Sequence, residues 1–176
     1  MGKKFELTEN YVVNELGTKL YQIKCTKTFK YAKKGELGGF IEKEENLSQE
    51  GDAWVSGDAW VSGDAWVSGD ARVYGDARVL GDAYLKSDAD HCGFDCFGSS
   101  NRHTHAYLTR DNTVEITCGC FRGSIEEFEK KVKNTHTGTV YENQYNAIIN
   151  VIKIKFGSAQ RQNRQVFFVK KLLSRN

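Results

Sequence analysis

Residues 51–86 read GDAWVS GDAWVS GDAWVS GDARVY GDARVL GDAYLK, one six-residue unit written six times with small changes. An alanine and a valine or leucine recur two positions apart in every unit. On a strand these two side chains point to the same face, which must be the inner one. A glycine opens each unit, at a place where a corner needs a positive φ. A period of six with this phase predicts a triangular β-solenoid, in which each unit forms one short side.

Three units close one coil of such a solenoid, so residues eighteen apart are expected to stack at the spacing of adjacent strands, about 4.8 Å. The outer pairs predicted in this way are Arg72 on Trp54, Arg78 on Trp60 and Tyr84 on Trp66. Three exposed tryptophans are more apolar surface than a single chain leaves in water. We therefore expect them to pack on a partner subunit or on the terminal segments of the same chain.

Residues 55–60, VSGDAW, fit the loose pattern of the hexapeptide-repeat proteins, except for the serine at the second place. Over about fifty residues the chain resembles this family. The resemblance implies a left-handed triangular β-helix, here of about three coils, and a homotrimer. Many members are acyltransferases with a longer solenoid, an extruded loop and a histidine at a subunit interface. Residues 2–90 contain no histidine and no loop interrupts the repeats, so acyl transfer is the less favoured function.

The chain divides into four segments that together predict a mainly β fold. They are an N-terminal β cap over residues 1–40, the repeat over 41–90, a small α+β domain of a hairpin and two helices over 91–156, and a basic C-terminal extension over 157–176. A cap is expected because an open strand edge recruits other chains. The second helix is expected to end near Phe156, and the extension contains a strand-like Val-Phe-Phe-Val at 166–169.

The order of these segments also resembles a group of small phage and prophage proteins. The shared features are a leader ending in GELGGFIEKEE at 35–45, an array of GDAxV hexads, and a domain with a CGCF turn at 118–121. This group has no activity that can be transferred to the chain. The resemblance implies a viral accessory protein that acts in the cytoplasm of an infected bacterial host.

The 25 basic and 23 acidic side chains are unevenly distributed along the chain. Residues 41–90 carry twelve acidic and four basic side chains, whereas residues 122–176 carry eleven basic and four acidic ones. Opposite charges of this kind dock segments or subunits together, or leave the basic end for an anionic partner. Five cysteines without an export signal favour reduced thiols in a cytoplasm. No apolar run reaches the length of a membrane span, so no membrane partner is expected.

The candidate ligand site is the polar segment 98–102, GSSNR, together with the turn at 118–124. An arginine binds a phosphate through two parallel hydrogen bonds. The turn adds backbone amides and the N-terminus of a helix that begins at Ser124, where anions are favoured. A nearby aromatic side chain can stack on a base. The predicted ligand-binding residues are Ser99, Ser100, Asn101, Arg102, Thr104, Tyr107, Phe121 and Arg122. The alternative is a loop that only packs the domain onto the solenoid.

Four cysteines of the same domain allow two further interpretations. Zinc accepts four thiolates in tetrahedral geometry, although the spacings C-x3-C and C-x-C are not those of a common zinc knuckle. The four thiolates of this alternative site are Cys92, Cys96, Cys118 and Cys120. A cysteine nucleophile also needs a histidine as base. The candidates are Cys118 or Cys120 with His103, His105 or His136. Both patterns are weaker than the anion site, so no metal and no other cofactor is predicted.

Together these observations predict a non-catalytic protein that binds a small anionic ligand. With the phage resemblance, the hypothesis becomes that the protein sequesters a nucleotide immune signal of the host without cleaving it. The alternative is a structural or protein-interaction module that assembles through the solenoid. Nucleic acid is a less favoured partner, although Phe167 and Phe168 lie between Arg164 and Lys170 in the basic tail.

Overall fold

The computed structural model describes the backbone of residues 2–173 and the side chains of residues 2–157. Three antiparallel strands precede the repeat: β1 (Phe5–Val13), β2 (Lys19–Cys25) and β3 (Leu37–Ile41). β1 pairs with β2, and β2 pairs with β3. β3 contains glycines because it lies directly against the repeat: a Cβ at Gly38 would stand 2.6 Å from the carbonyl oxygen of Val55.

Each repeat contributes one two-residue strand. These strands are β4 (Trp54–Val55), β5 (Trp60–Val61), β6 (Trp66–Val67), β7 (Arg72–Val73), β8 (Arg78–Val79) and β9 (Tyr84–Leu85). They pair in parallel with partners eighteen residues away: β4 with β7, β5 with β8, and β6 with β9. The alanines of these units and the valine or leucine two positions further are at most 3% exposed. The eighteen-residue register and the inward face are therefore as the repeat predicts.

The predicted fold class is wrong. The structure has no left-handed β-helix of three coils: within residues 2–173 no sheet closes, and the six repeat strands are divided among three open sheets. β5 and β8 extend the N-terminal strands into a five-stranded sheet, whereas β4–β7 and β6–β9 remain two-stranded. A Gly-Asp turn follows each of the strands β4 to β8 after two strand residues, and β3 adds to only one of the three ladders. Because two helices follow, the chain is mixed α and β rather than mainly β.

After the repeat, four antiparallel strands form a meander: β10 (His91–Phe97), β11 (Arg102–Leu108), β12 (Val114–Cys118) and β13 (Phe121–Ser124). Helices α1 (Ile125–His136) and α2 (Val140–Leu173) pack on one face of this sheet. The other face lies on the repeat, where the hydroxyl of Thr117 donates to the carbonyl oxygen of Arg78 at 3.2 Å and Tyr107 joins the core of the repeat. The turns β10–β11 and β12–β13 consequently meet beside the repeat.

Helix α2 is longer than the sequence predicts. It continues past Phe156 and Gly157 to Leu173, so the strand predicted at 166–169 is wrong. A glycine inside a helix costs only about 1 kcal/mol relative to alanine, and the chain has no proline to stop the helix. In the described part of the chain, neither helix is both long enough and apolar enough to cross a membrane.

Candidate functional site

The polar segment 98–102 forms the turn between β10 and β11 and is pinned to helix α2. The amide of Gly98 donates to the side-chain oxygen of Gln144 at 2.9 Å. The hydroxyl of Tyr145 lies directly over Gly98, whose φ is +74°, so a side chain at this position would be strained and would displace the tyrosine. Asn101 also has a left-handed backbone, with φ +46°, which asparagine tolerates. The turn thus holds its polar side chains at a fixed place above α2.

A cleft of about 230 Å³ opens beside this turn. We call it the Arg102 cleft. Four of the predicted ligand-binding residues line it: Ser99, Ser100, Arg102 and Phe121. Helices α1 and α2 supply further lining residues, among them Phe128, Lys131, Thr135, His136 and Tyr145. The sheet, its two turns and both helices therefore all contribute to the same small cleft.

The inner wall of the Arg102 cleft is aromatic. Ring centroids lie 5.0 Å apart for Phe121 and Phe128, 5.6 Å for Phe128 and Tyr145, and 5.4 Å for His136 and Tyr145. Burial, and to a lesser degree the adjacent Cys118 thiol, raises the pKa of Tyr145 to about 12. The hydroxyl of Tyr145 therefore keeps its proton at neutral pH. The wall offers ring surface and one hydrogen-bond donor.

The rim of the Arg102 cleft is cationic. The side chains of Arg102 and Lys131 make no hydrogen bond or ion pair with any described residue, and none of the described residues that line the cleft carries a carboxylate. The last turn of α1, with Thr135 and His136, brings the partial negative end of a helix, equivalent to about half an elementary charge. Two full positive charges outweigh this half charge, so the field in the cleft favours an anion.

Three predicted ligand-binding residues are occupied elsewhere. Arg122 holds the carboxylate of Glu115 through Nε at 2.7 Å and Nη2 at 3.1 Å. Tyr107 is fully buried, and its hydroxyl donates to the same carboxylate at 2.6 Å. Thr104 is buried as well and donates to the sulfur of Cys118 at 3.3 Å. These side chains hold the sheet together and do not face the Arg102 cleft.

The predicted convergence on the N-terminus of α1 does not occur. The amide of Glu127 donates to the hydroxyl of Ser124 at 3.2 Å, and the amide of Ser124 donates to the carboxylate of Glu127 at 2.8 Å. This capping box uses amides that an anion would need, and it adds a negative charge at the same place. Arg122 and the helix N-terminus therefore do not join Arg102.

Sequence reasoning missed the helical half of the cleft. Phe128, Lys131, Val132, Thr135 and His136 recur at intervals of three and four in α1, so they share one face of the helix. A helical projection of this segment would have placed Lys131 beside the apolar stripe. Tyr145 could not be assigned in this way, because its place depends on how α2 packs.

The cysteine interpretations find no support in the geometry. In the described part of the chain, no group of three or more histidine, cysteine, aspartate or glutamate side chains is placed to hold a metal ion. Cys118 is buried and Cys92 is partly buried, whereas Cys96 and Cys120 are exposed. Burial raises the pKa of Cys92 to about 11, which disfavours its thiolate.

The histidines predicted as bases are not bonded to a cysteine. Nδ1 of His103 bonds to the carboxylate of Asp95, and His105 bonds to His91 and to the carbonyl oxygen of Arg78. His136 and Cys120 both line the Arg102 cleft, yet no hydrogen bond joins them among the described residues.

No model of a known protein family matches the chain, and no curated protein matches it either. The resemblances to the hexapeptide-repeat family and to small phage proteins therefore stay predictions from the sequence.

Proposed function

We propose that the protein binds a small anionic, nucleotide-like ligand in the Arg102 cleft and holds it without converting it. One observation carries the proposal. Five arginines have described side chains, and four of them are engaged within the chain: Arg72 with Asp88, Arg78 with Glu15, Arg110 with the carbonyl oxygen of Asp64, and Arg122 with Glu115. Arg102 alone among these five makes no such bond, and it lies at a cleft without carboxylates.

The chemistry of the lining residues suits a phosphate group. A guanidinium group pairs with phosphate oxygens through charge-assisted hydrogen bonds, and an ammonium group adds a point charge. Arg102 and Lys131 supply these two groups, while the hydroxyls of Ser99, Ser100 and Thr135 are further donors along the rim. The rings of Phe121 and His136 line the same cleft.

In the same proposal the ligand is a nucleotide signal of a bacterial host, and the protein sequesters it in the cytoplasm of the infected cell. This part rests on the order of leader, hexad array and CGCF turn, which resembles phage accessory proteins. A protein that only withholds a signal needs affinity for it and no nucleophile.

Calorimetric titration with phosphate and with nucleoside monophosphates tests the proposal, together with thermal unfolding. Ligand at one hundred times its dissociation constant adds about 2.7 kcal/mol to stability, which is readily measured as a shift in Tm. Arg102→Ala should abolish binding. Arg110→Ala, a change at an arginine outside the cleft, should leave binding intact. The NMR spectrum of nucleotide recovered after incubation with the protein should be that of the unchanged nucleotide. The proposal fails if no anion binds, or if both variants bind as the unaltered protein does.

A second candidate, a protein-interaction module, is favoured by strand β1. This nine-residue strand lies at the edge of its sheet, and Tyr11 and Val13 share one of its faces with about half of each side chain exposed. The homotrimer stays a prediction. Native mass spectrometry tests both, since a trimer has three times the chain mass of 19.9 kDa. A monomer at all concentrations would remove this candidate as a self-association module.

A further inference from the structure

A larger cleft of about 630 Å³ adjoins the Arg102 cleft. It lies where the turn between β1 and β2, the repeat strands β5 and β8, and the turns of the C-terminal sheet meet. Arg102 and Cys120 line both clefts. We call the larger one the Trp60 cleft. Its further polar lining includes Glu15, Asp58, Asp76, Arg78 and Asn101.

The two clefts differ in charge. Glu15, Asp58 and Asp76 place three carboxylates on the Trp60 cleft, whereas none lines the Arg102 cleft. The guanidinium of Arg78 lies 3.5 Å from the carboxylate of Glu15 and neutralises this one charge, and it also lies 4.5 Å from the ring centroid of Trp60. The carboxylates of Asp58 and Asp76 remain, so the part of the Trp60 cleft away from Arg102 disfavours a phosphate and accepts hydrogen-bond donors.

Two of these carboxylates are available to a ligand. Asp58 and Asp76 are exposed and make no hydrogen bond or ion pair with the described residues. Asp64, which belongs to the same Gly-Asp series, forms an ion pair with Lys43. Beside them Trp60 is partly exposed between Phe40 and Arg78, its neighbours in the five-stranded sheet, and the planar guanidinium of Arg78 lies over its ring. A flat ring with donors on its edge would find both a stacking surface and acceptors here.

Arg102 connects the two clefts. Its side chain lies on Gly119, in the turn between β12 and β13, where a Cβ would stand 2.8 Å from Cδ of Arg102. Gly119 itself lines the Trp60 cleft. A group bound to this guanidinium is therefore next to both cavities.

We infer that the ligand is a nucleotide whose phosphate lies in the Arg102 cleft and whose nucleoside lies in the Trp60 cleft. The inference rests on the proposed function and adds the second cleft to it. Base and ribose carry donors, namely exocyclic amines and hydroxyls, and the carboxylates of Asp58 and Asp76 accept them. The base stacks on the exposed part of the Trp60–Arg78 pair. A ligand that is anionic at one end and rich in donors at the other matches the opposite charges of the two clefts.

The volumes agree with this division. Pockets for whole small molecules measure about 300–1,000 Å³. The Trp60 cleft, at about 630 Å³, lies within this range, and the Arg102 cleft, at about 230 Å³, lies below it. The smaller cleft holds one charged group, and the larger one holds the rest of the molecule.

Calorimetric titrations with AMP, adenosine and inorganic phosphate test the inference on the unaltered protein and on four variants. AMP should bind about five- to a hundredfold more tightly than phosphate, because stacking of one base contributes about 1–3 kcal/mol. Trp60→Leu should bring the affinity for AMP down to that for phosphate and leave phosphate binding unchanged. Trp60→Phe, which keeps a ring, should retain most of the preference. Asp58→Asn with Asp76→Asn, at exposed positions, should weaken AMP and not phosphate. Trp66→Leu, on another sheet of the repeat, is the matched control.

The outcomes separate the inference from the proposed function. If AMP and phosphate bind equally well to the unaltered protein, or if Trp60→Leu weakens both by the same factor in a folded protein, the nucleoside does not lie at Trp60. The Arg102 cleft would then still bind anions. If neither phosphate nor AMP binds, the proposed function itself is wrong. Wherever phosphate and AMP do bind, Arg102→Ala should lose both, whether or not the nucleoside lies at Trp60.

Discussion

Nδ1 of His91 lies 3.0 Å from Nε2 of His105, in a pair that is almost completely shielded from water. Nδ1 of His105 lies 3.3 Å from the carbonyl oxygen of Arg78, which can only accept, so this nitrogen carries the proton. Nε2 of His105 is then an acceptor, and Nδ1 of His91 donates to it. Both rings are neutral in this arrangement, and Nε2 of His91 keeps a lone pair 4.0 Å from the carboxylate of Asp88.

The protein should therefore lose stability in mild acid. Burial lowers the pKa of His105 to about 3 and also lowers the pKa of His91. In the unfolded chain a histidine titrates near 6.5, so below that pH the unfolded state takes up protons that the folded state does not. This contribution to stability is complete above about pH 6.5 and is lost as the pH falls toward 3. Each such histidine adds a slope of at most about 1.4 kcal/mol per pH unit.

Urea unfolding at pH 7.5, 6.0 and 5.0 measures this slope. His105→Gln, which has a donor for the Arg78 carbonyl and cannot titrate, should flatten it. His136→Gln, at a half-buried position outside the pair, is the control and should keep the slope. An unfolding free energy that does not change between pH 7.5 and 5.0 would contradict the neutral pair.

The carboxylate of Glu115 should be a large contributor to the stability of the C-terminal sheet. It accepts from the hydroxyl of Tyr107 at 2.6 Å and from Arg122 at 2.7 Å. Because Tyr107 is fully buried, Glu115→Ala leaves its O–H group without the acceptor that it has now, which costs about 1–3 kcal/mol. Tyr107→Phe removes the hydroxyl together with its need for a partner and should cost less.

Chemical denaturation of both single variants and of the double variant decides this. In the Tyr107→Phe background, Glu115→Ala should cost clearly less than in the unaltered protein, since the two side chains interact directly. Strictly additive losses would show that the hydrogen bond contributes nothing.

Gly119 should control the position of Arg102. It has φ +59°, and a Cβ would press on the Arg102 side chain. Gly119→Ala should therefore weaken phosphate binding by moving the guanidinium, at a backbone cost of about 1–2 kcal/mol. Gly138→Ala is a matched control, because Gly138 has φ +76° and no atom within 4 Å of an added Cβ.

Calorimetry with inorganic phosphate and urea unfolding are compared for the two glycine variants. Similar losses of stability with weaker binding in Gly119→Ala alone support the assigned place of Arg102. Equal phosphate affinities in both variants would show that Arg102 does not depend on this turn.

The repeat shows which parts of the fold could be predicted from the sequence. Six-residue units restrict the spacing to multiples of six, and three units per coil select eighteen, so the pairs Trp54–Arg72 and Trp60–Arg78 are as predicted. How the strands join into sheets does not follow. The arrangement of the sheets depends on β3, which pairs with β5 and not with β4 or β6. This pairing requires a close backbone contact that only Gly38 and Gly39 allow. The fold class was wrong for this reason.

For the candidate site, the sequence likewise predicts the location but not the roles of individual residues. The composition of 98–102 located the turn, but Arg102 and Arg122 could not be told apart in their roles. Thr117 is the cross-strand partner of Arg122, and Glu115 lies two residues from Thr117 on the same face of the hairpin. Arg122 therefore pairs with Glu115. That register was not assigned from the sequence. The contribution of Tyr145 needed the packing of α2, which no local pattern specifies.

The three tryptophans of the repeat should differ widely in their contribution to stability. The N-terminal segment covers Trp54, which is 2% exposed and meets the ring of Phe29 edge-on at 5.4 Å. Trp66 lies partly exposed beside Tyr84, with ring centroids 5.0 Å apart.

Truncation of a buried tryptophan costs about 3–5 kcal/mol because a cavity remains. Trp54→Ala should reach this range, and Trp66→Ala should cost less than half as much, since water can reach the space that it leaves. Urea unfolding of the two variants, followed by circular dichroism, measures the difference. Equal losses would mean that the N-terminal strands do not cover the repeat in solution.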